Sequence, residues 1–463
     1  MHKRKRKPKN NIANKRKEIY KNVLARITPT QNEIEEEKKI VLEIQKKVLA
    51  TEGKHSHLEW CGSSARGTHL RGDRDLDLFL MFDKELSEKE LEFEGLRIGE
   101  IIFKGHEWEK AYSQHPYLRG NIKGFDVEIV PGYIVKNGSE KKSAVDRTPF
   151  HNRFLLKKMS KKQRGDARLL KQFLKGINAY GADLKNCALP GYGVELLIVH
   201  YKNIEGALKA ISKWKYKTKI KISNKKSTAF DSPLTIIDPV DPNRNVASAL
   251  SREQFERMVF ASKLFLEKPS ERFFFQEKKN AWPKKLIEEM LSKKELIAFK
   301  MNFPKEILSD LVWGQLRRIL KQISVNLKEN DFVVLRETLW SNEKDVYFIF
   351  ELESLSLQKS KKIIGPKAED TENTKKFLNK KRIVISGPRI EGNRIVIEIE
   401  RQKTSASQVL HDFIKEKGIE EKQPLKTSLL EGVVLGEKRL LWNYRGEFAK
   451  WFTSYLEGKE VFE

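Results

Sequence analysis

The chain of 463 residues has little cysteine, fewer acidic than basic residues and no long hydrophobic run. Its two cysteines, Cys61 and Cys187, are too few for a disulfide framework or for a zinc site of their own. No apolar stretch approaches the ~20 residues that a membrane-spanning helix requires. The basic start, MHKRKRKPKN, is not followed by the apolar segment of a secretory signal. These absences predict a soluble, cytoplasmic protein without a membrane partner.

The length and composition predict several folded domains. At roughly 100–200 residues per domain, the chain corresponds to about three domains. Hydrophobic residues make up 39% of the chain and aromatic residues 10%, which suffices for a buried core although 33% of the residues are charged. A disordered chain is therefore excluded.

Positive charge is in large excess, with 91 Lys and Arg against 64 Asp and Glu and a formal net charge of +27. Residues 1–26 hold eleven basic residues and one Glu. Lys202–Lys226 holds nine lysines and one Glu, and Lys359–Arg382 holds nine basic residues and three acids. Separated basic segments suit a long polyanion, because each neutralised phosphate releases condensed counterions. The alternative is a lysine-rich surface of the kind found in heat-adapted proteins.

The pattern of apolar residues divides the chain into four regions. Residues 1–18 are predicted to form a flexible basic arm. Strand-like alternation on both sides of an acidic helix indicates a mixed α/β domain over residues 19–156. Leucine and phenylalanine at helical spacing predict an all-helical domain over residues 157–268, and helices alternate with strands over residues 269–463.

The segment that says most about chemistry runs from Gly62 to Leu80. Its second half alternates charged and apolar residues, as a strand with one buried face does, so Asp75 and Asp77 project from the same face. Positions i and i+2 of a strand lie ~6.5–7 Å apart. This spacing allows the carboxylate oxygens to converge on two cations ~3.5–4 Å apart. The alternative for an isolated Asp-x-Asp is a solvated strand edge.

Two further features favour a metal site over a solvated edge. The segment Phe125–Val130 also alternates, and it places Asp126 and Glu128 on one face as candidates for a third carboxylate. Upstream of the acidic pair, the turn at Gly62-Ser63 opens a helix whose backbone N–H groups can meet a phosphate. Arg66 follows one turn later and can bind the same anion.

These residues resemble a known family. Gly-Ser, a spacer of about ten residues and Asp-x-Asp on an apolar strand are similar to the signature of the polymerase β nucleotidyltransferase superfamily. The resemblance is closer to archaeal-type (class I) CCA-adding enzymes, which are tRNA nucleotidyltransferases. It continues through His115-Pro116-Tyr117, Ile129–Tyr133, Ser143–His151, Arg168–Lys175, Tyr180-Gly181, Glu195–Ile198 and Asp238–Val246.

The resemblance implies an α+β multidomain fold. It consists of a polymerase β-like nucleotidyltransferase head with a mixed sheet and helices, an all-helical central neck, and an α/β C-terminal body and tail that bind RNA. The implied activity is template-independent addition and repair of the 3′-terminal CCA of tRNA with CTP and ATP. In that reaction the RNA 3′-hydroxyl attacks the α-phosphate, pyrophosphate leaves, and two Mg²⁺ ions are the cofactors.

The residue roles of the family transfer by position. Asp75, Asp77 and Glu128 are implied to bind metal and to be catalytic. The family usually has Asp at the position of Glu128, so Asp126 is kept as an alternative. Ser63 and Arg66 are implied to grip the triphosphate, and Arg244 to read the base. The full set implied to bind the nucleotide is Ser63, Arg66, Thr148, His151, Lys171, Tyr180 and Arg244.

The implied macromolecular partner is tRNA, held by its acceptor and T stems. The segments Lys202–Lys226 and Lys359–Arg382 suit that role, because duplex RNA is recognised mainly through its phosphates and 2′-hydroxyls. Trp214 and Tyr216 either stack on RNA or anchor the local core. A homodimer is left open.

Two rival functions are weighed against this interpretation. A poly(A)-type polymerase or oligoadenylate synthetase shares the two-metal strand but not the matches at Arg147–His151 and Asp238–Val246. A non-catalytic RNA-binding protein with a relic nucleotidyltransferase domain is the second rival, because Glu128 departs from the family pattern.

Overall fold

The structure is a computed structural model in two compact units. The first unit comprises Met1–Lys278 together with Glu460–Glu463, and the second comprises Lys279–Lys459. The first unit therefore contains both the predicted head and the predicted neck, and their division at residue 156 stays a prediction. The residues described are 7–52, 55–112, 115–140, 142–223, 227–277, 279–304 and 309–463.

Helices and strands alternate along the first unit. Its helices are α1 Lys7–Ile27, α2 Gln31–Leu49, α3 Gly62–Arg66, α4 Glu88–Ile102, α5 Thr148–Lys158, α6 Lys161–Gly176, α7 Gly191–Tyr201, α8 Ile204–Ile211 and α9 Arg252–Glu267. Its strands are β1 His55–Cys61, β2 Asp75–Phe82, β3 Trp108–Tyr112, β4 Pro116–Ile122, β5 Phe125–Tyr133, β6 Thr218–Lys221 and β7 Leu234–Ile237.

The head is built on a five-stranded sheet in the order β1-β2-β5-β4-β3. Strands β2 and β5 run parallel, and the other neighbours are antiparallel. Helices α2 and α4 cover one face, where their apolar side chains pack against Leu76, Leu78 and Leu80. The alternation in β2 leaves its two aspartates on the opposite face. The predicted mixed α/β head is confirmed.

Helix α2 begins where the sequence indicates. Thr30 is its N-cap, and its hydroxyl accepts a hydrogen bond from the backbone N–H of Glu33 while the Glu33 carboxylate accepts one from the Thr30 N–H. This capping box satisfies two N–H groups that have no partner within the helix.

The neck packs α1 and α5–α9 around one large core. Phe173, Leu197 and Phe255 are fully buried or nearly so in this cluster. Trp214 is also buried there and stacks on Phe255 with ring centroids 6.1 Å apart. Trp214 is thus a core anchor, whereas Tyr216 is exposed beneath the guanidinium of Arg252.

The prediction of an all-helical domain over residues 157–268 is wrong in one respect. Strands β6 and β7 form a parallel pair within it. All four residues of β7, Leu234–Ile237, are buried and include two adjacent isoleucines. Four buried residues are too short a run for a helical period to be distinguished from a strand.

The flexible arm predicted over residues 1–18 is corrected for its described part. Residues 7–18 belong to α1, and Arg16 forms an ion pair of 2.8 Å with Glu205 and donates a hydrogen bond to the carbonyl of Leu266. Farther along α1, Ile19 and Val23 are buried in the neck core. Packing therefore fixes a segment whose charge alone indicates an arm. Residues 1–6 lie outside the described residues.

The second unit also mixes helices and strands. Its helices are α10 Lys284–Leu291, α11 Ser309–Glu329, α12 Thr371–Leu378, α13 Ala406–Glu420, α14 Leu425–Leu430, α15 Glu437–Asn443 and α16 Gly446–Glu457. Its strands are β8 Glu295–Asn302, β9 Val334–Ser341, β10 Asp345–Leu352, β11 Ser360–Lys367, β12 Val384–Glu391, β13 Arg394–Glu400 and β14 Val433–Leu435.

The second unit contains two sheets. The four-stranded sheet β14-β8-β10-β9 has helices on both faces, because Phe348 and Phe350 pack in one cluster with α11, α13 and α14 while Tyr347 and Ile349 pack in another with α10, α15 and α16. The three-stranded sheet β11-β13-β12 is accompanied by α12, which has no buried residue.

Lysines of both lysine-rich segments form ion pairs, among them Lys209 with Glu205 and Lys217 with Asp231 in Lys202–Lys226. All seven described lysines of Lys202–Lys226 are exposed, and Lys225 and Lys226 lie outside the described residues. In Lys359–Arg382, Lys361, Lys362, Lys367 and Lys376 each form an ion pair with an acidic residue. The second segment is therefore partly neutralised by its own unit. Among the described residues, no helix is both long and apolar enough to cross a membrane.

Packing of α1 leads to a stability prediction. The substitution Val23→Ala removes two buried methyl groups from the neck core, so we expect the free energy of unfolding to fall by about 2 kcal/mol. Urea denaturation followed by circular dichroism measures this change. The exposed neighbour Lys17→Ala is the control and should remain within about 0.5 kcal/mol of wild type. Equal stability of the two variants would mean that α1 does not pack on the neck.

Candidate active site

The acidic face of the head sheet follows from the pairing of β2 with β5. The parallel register places Asp75 beside Asp126 and Asp77 beside Glu128. Because the neighbouring strands run in the same direction, both pairs project from the same face of the sheet. Four carboxylates predicted from two separate segments are thereby brought together.

Gly62 is the point where the chain comes closest to this acidic face. Its φ of +75° is a conformation that favours glycine, and a Cβ built on it would lie 1.7 Å from Oδ2 of Asp77. Any other residue at this position would displace the carboxylate. The glycine of the Gly-Ser pair therefore lets α3 begin directly against Asp77, with Ser63 as the next residue.

The carboxylates of Asp75, Asp77 and Glu128 hold protons more tightly than usual. Burial, followed by the charges of Asp73 and Asp126, raises the pKa of Asp75. Burial and the charge of Asp75 raise the pKa of Asp77. Burial and the charge of Asp77 raise the pKa of Glu128 to about 7. A divalent cation would offset this repulsion, and hard oxygen donors are the ligands that Mg²⁺ prefers.

The two candidates for the third carboxylate differ in their surroundings. Glu128 is half-buried beside Asp77, and the hydroxyl of Tyr117 approaches its Oε1 at 3.5 Å. Asp126 is exposed and accepts a hydrogen bond of 3.2 Å from Asn121. This placement favours Glu128 over Asp126.

A separate acidic cluster lies on α4. Within the described part of the chain, Glu88, Glu92 and His115 have ligand-type atoms that all lie within 4.8 Å of one another. The oxygens of Asp75, Asp77 and Glu128 are spread more widely than this. The Nδ1 of His115 lies 3.3 Å from Glu88 and 3.7 Å from Glu92, and such groups are common without an ion, so this cluster does not by itself indicate a metal.

Arg66, which the resemblance implies to grip the triphosphate, is buried. Its guanidinium forms an ion pair of 2.9 Å with the buried carboxylate of Glu195 and donates to the side-chain oxygen of Asn152 at 3.3 Å. Thr68 also donates a hydrogen bond to Glu195. Arg66 thus ties α3 to α5 and α7, and it remains close enough to Asp77 to oppose the rise of its pKa.

Helix α6 holds the loop that connects α3 to β2. The Arg168 Nε donates to the His69 carbonyl at 2.9 Å, and the Lys171 Nζ donates to the Thr68 carbonyl at 3.1 Å. Lys175 completes the set with an ion pair of 3.2 Å to Asp73. Lys171 is almost fully buried, and its burial lowers the pKa of its ammonium group.

Tyr180 lies near the same lysines. The Nζ atoms of Lys171 and Lys175 are 6.0 and 5.5 Å from its ring centroid. Burial, reinforced by the charges of Asp73 and Glu195, raises the pKa of its hydroxyl. The structure thus brings Tyr180 and Lys171 together, as the resemblance implies.

A second group of predicted residues meets at Asp238. His151 Nε2 lies 2.8 Å from Oδ2 of Asp238, and Arg244 Nη1 lies 3.1 Å from the same oxygen. The Tyr192 hydroxyl donates to Oδ1 at 3.2 Å, and its ring stacks on the imidazole of His151 at 4.1 Å. Thr148 is half-buried at the start of α5, three residues before His151.

Three family models match consecutive parts of the chain. The family described as "Nucleotidyltransferase domain" matches residues 37–151, "tRNA nucleotidyltransferase, second domain" matches residues 165–275, and "CCA-adding enzyme, C-terminal domain" matches residues 293–429. The curated CCA-adding enzyme of Methanosarcina mazei is 36% identical over 401 residues, covering 84% of this chain and 87% of the relative. The chain belongs to the CCA-adding enzyme family.

Two further members show the same breadth of similarity. The CCA-adding enzyme of Methanocaldococcus jannaschii is 35% identical over 380 residues, covering 78% of this chain and 84% of that protein. The enzyme of Saccharolobus shibatae is 35% identical over 350 residues, covering 75% and 81%. The family resemblance, the nucleotidyltransferase head and the multidomain α+β fold are therefore confirmed.

Three residues at the centre of these contacts were not assigned a role from the sequence. Glu195 and Asp238 lie in quoted family motifs, yet neither offered a reason to expect a buried carboxylate with several donors. Tyr192 lies in the first turn of α7, and no sequence motif singles it out. Their partners come from distant parts of the chain, so only the fold reveals them.

The raised pKa of Glu128 leads to a prediction about pH. Its folded pKa of about 7 exceeds the ordinary 4.5, so ionisation of Glu128 costs folding free energy as pH rises through this interval. Without added metal, Glu128→Gln should raise the free energy of unfolding at pH 8 by about 1–2 kcal/mol relative to wild type, a value reduced for partial solvent exposure. At pH 5 the difference should largely vanish.

Denaturant titrations in EDTA at both pH values measure this effect. Asp126→Asn is the matched control, because Asp126 lies on the same strand face but is exposed. It should show little difference from wild type at either pH. A Glu128→Gln variant that is no more stable than wild type at pH 8 would contradict the repulsion described above.

Proposed function

We propose that this protein adds and repairs the 3′-terminal CCA of tRNA, using CTP and ATP without a nucleic-acid template. The 3′-hydroxyl of the RNA attacks the α-phosphorus, an O–P bond forms, and the bond to pyrophosphate breaks. The single observation that carries the proposal is the register of β2 and β5, which gathers Asp75, Asp77 and Glu128. It stands beside a head, neck and C-terminal domain that all match the same family.

Asp75, Asp77 and Glu128 are proposed to hold two Mg²⁺ ions. The fit rests on the donor set, which consists of oxygen ligands on one face whose pKa values are raised by burial and by neighbouring carboxylates. When bound, the two ions lower the pKa of the attacking hydroxyl and neutralise charge that develops on the leaving phosphates. The protein contributes fixed positions, because α6 holds the loop that leads into β2.

The triphosphate is proposed to lie against the start of α3. Ser63 and the first backbone N–H groups of α3 face the end of the acidic strand, as the contact of Gly62 with Asp77 indicates. Arg66 and Lys171 add positive charge near this site, because the charges of both side chains lower the pKa of Asp77. Arg66 acts from within its pair with Glu195, so its position is set by the neck.

His151 and Tyr180 are proposed to meet the sugar, and Thr148 lies on the same helix as His151. Burial lowers the pKa of His151, and Asp238 accepts a hydrogen bond from Nε2. The neutral ring therefore carries its proton on Nε2 and leaves Nδ1 as an acceptor. An acceptor suits a ribose hydroxyl better than a phosphate.

Arg244 is proposed to read the base. A guanidinium offers only donors, and Arg244 spends one of them on Asp238. The remaining donors favour an acceptor on the Watson–Crick edge, which the ring nitrogens N3 of cytosine and N1 of adenine supply. Uracil and guanine carry a hydrogen at the equivalent nitrogen. A donor-only side chain whose free donors point at that nitrogen thus favours C and A over U and G.

The exposed lysines of Lys202–Ser223 are proposed to contact the acceptor and T stems of tRNA, together with the C-terminal unit. RNA duplex is held mainly through phosphates, so affinity should depend steeply on salt. The ion pairs of Lys361, Lys362, Lys367 and Lys376 reduce the charge available from Lys359–Arg382, as those of Lys209 and Lys217 do in Lys202–Ser223.

Sequencing of the products tests the reaction. A tRNA transcript that lacks its CCA is incubated with the enzyme, Mg²⁺, CTP and ATP, and the 3′ ends are read. We expect C, C and A in that order and then termination. A homopolymeric A tail would favour the poly(A)-type rival, and tRNA binding without any incorporation would favour a relic domain.

Turnover of single variants tests the metal ligands. Loss of a residue that supports a metal ligand costs 10–100-fold, so loss of a ligand itself should cost more than about 100-fold. We expect this loss for Asp77→Ala and Glu128→Ala and less than about 10-fold for Asp126→Ala. Initial rates of labelled CTP incorporation at saturating tRNA provide the measurement. Equal residual activity of the Glu128 and Asp126 variants would defeat the assignment of Glu128.

A further inference from the structure

Asp238 is a buried carboxylate on which four donors converge. Its side chain has no solvent exposure. Oδ2 accepts from His151 at 2.8 Å and from Arg244 at 3.1 Å, while Oδ1 accepts from the Tyr192 hydroxyl at 3.2 Å and from the Val240 backbone N–H at 2.9 Å. These interactions, with that of His151 the largest, lower the pKa of Asp238 to about 2 against the opposing effect of burial. The carboxylate is therefore ionised at neutral pH.

The contacts of Asp238 join two residues with different proposed tasks. His151 lies on α5, and Arg244 lies on the loop that follows β7. The two side chains share one oxygen atom, so a rotation of Asp238 moves both. Tyr192 restrains that rotation, because its hydroxyl holds the other oxygen while its ring packs on His151.

Each aspartate of the motif Asp238-Pro-Val-Asp241 pairs with a different arginine. Arg244 pairs with Asp238, and Arg147 pairs with Asp241 at 3.1 Å. Both arginines line one cavity of about 330 Å³, where Asn243, Asn245 and Ser232 supply further polar groups. If one of these two aspartates lost its charge, Arg147 and Arg244 would compete for the remaining carboxylate. Because Arg147 pairs with Asp241, the arginine that Asp238 holds at the cavity is Arg244.

We propose that Asp238 is a positioning residue that sets base choice: its carboxylate fixes the donors of Arg244 relative to His151, and selection of C over U depends on that fixed relation. This inference rests on the proposed function, because it assigns base reading to Arg244. Asp238 itself does not touch the nucleotide. A guanidinium whose free donors keep one orientation distinguishes the acceptor N3 of cytosine from the N3–H of uracil. A guanidinium free to swing can reach the carbonyl oxygens of either base.

The substitution Asp238→Asn tests this proposal. It keeps the shape of the side chain but removes its charge and turns one acceptor oxygen into a donor. On tRNA that lacks its CCA, we expect the ratio of kcat/KM for CTP to that for UTP to fall about ten-fold, which corresponds to ~1.4 kcal/mol. KM for CTP should rise, since loss of the fixed orientation weakens binding of the base. An unchanged CTP/UTP ratio in a folded variant would overturn the proposal.

The control is a second buried aspartate that also accepts several hydrogen bonds. Asp146 is also fully buried and accepts from the backbone N–H groups of Tyr133, Lys142 and Ser143. Asp146→Asn should lower thermal stability as Asp238→Asn does, but it should leave the CTP/UTP ratio at the wild-type value. An equal fall in both variants would reduce Asp238 to a purely structural residue.

Two further variants keep the test decisive. Tyr192→Phe removes one restraint on Asp238 while keeping the stack on His151, so the CTP/UTP ratio should fall about two- to three-fold even if Asp238→Asn does not fold. In the Arg244→Ala background, Asp238→Asn should change the ratio no further, because the two residues act through one group. An additive effect, or a Tyr192→Phe enzyme with the wild-type ratio, would contradict the proposal.

The wild-type enzyme separates this inference from the proposed function. Wild type that incorporates neither C nor A would defeat CCA addition itself. Wild type that adds CCA and discriminates against UTP, together with an Asp238→Asn enzyme that discriminates equally well, would defeat only the role of Asp238.

Discussion

The parallel pairing of β2 with β5 is the constraint on which the site depends. A shift of the register by one residue would turn Asp126 and Glu128 away from Asp75 and Asp77 and would bury acids among Leu76, Leu78 and Val127. Burial of the apolar residues on one face of the sheet therefore fixes the register that gathers the acidic residues on the other face. The cost is electrostatic, since burial and neighbouring carboxylates raise the pKa values of Asp75, Asp77 and Glu128. The acidic face thus lowers the stability of the head locally, and the packed apolar face of the same sheet compensates for this loss.

The neck is joined to the head through buried charged side chains. Arg66, Lys171 and Asp238 are all buried, and each has an identified partner: Glu195, the Thr68 carbonyl, and the His151–Arg244 pair. Breaking a buried pair costs more than the pair contributes, so these contacts specify one arrangement more than they add stability. The proposed nucleotide site is consequently a feature of the head and neck together, which agrees with their placement in one compact unit.

Strongly periodic segments could be predicted from the sequence, and long-range partners could not. The alternation in β2 carries a local signal, and the strand is found where the sequence predicts it. The capping box at Thr30 is likewise a local signal, and α2 begins there. The basic start was interpreted from charge alone, but the burial of Val23 makes part of it a helix of the neck. Asp238 and Glu195 gained roles only when the fold brought distant donors to them.

The central claim is that the acids of β2 and β5 hold divalent cations against a nucleoside triphosphate. Anomalous diffraction from crystals grown with Mn²⁺ and a non-hydrolysable CTP analogue tests it most directly. We predict two peaks, with ligand oxygens of Asp75, Asp77 and Glu128 at about 2.1–2.2 Å, close to the ~2.1 Å of Mg²⁺, and with the α-phosphate beside them. Mn²⁺ bound elsewhere on the head, with these three carboxylates free of metal in the presence of the nucleotide, would contradict the claim.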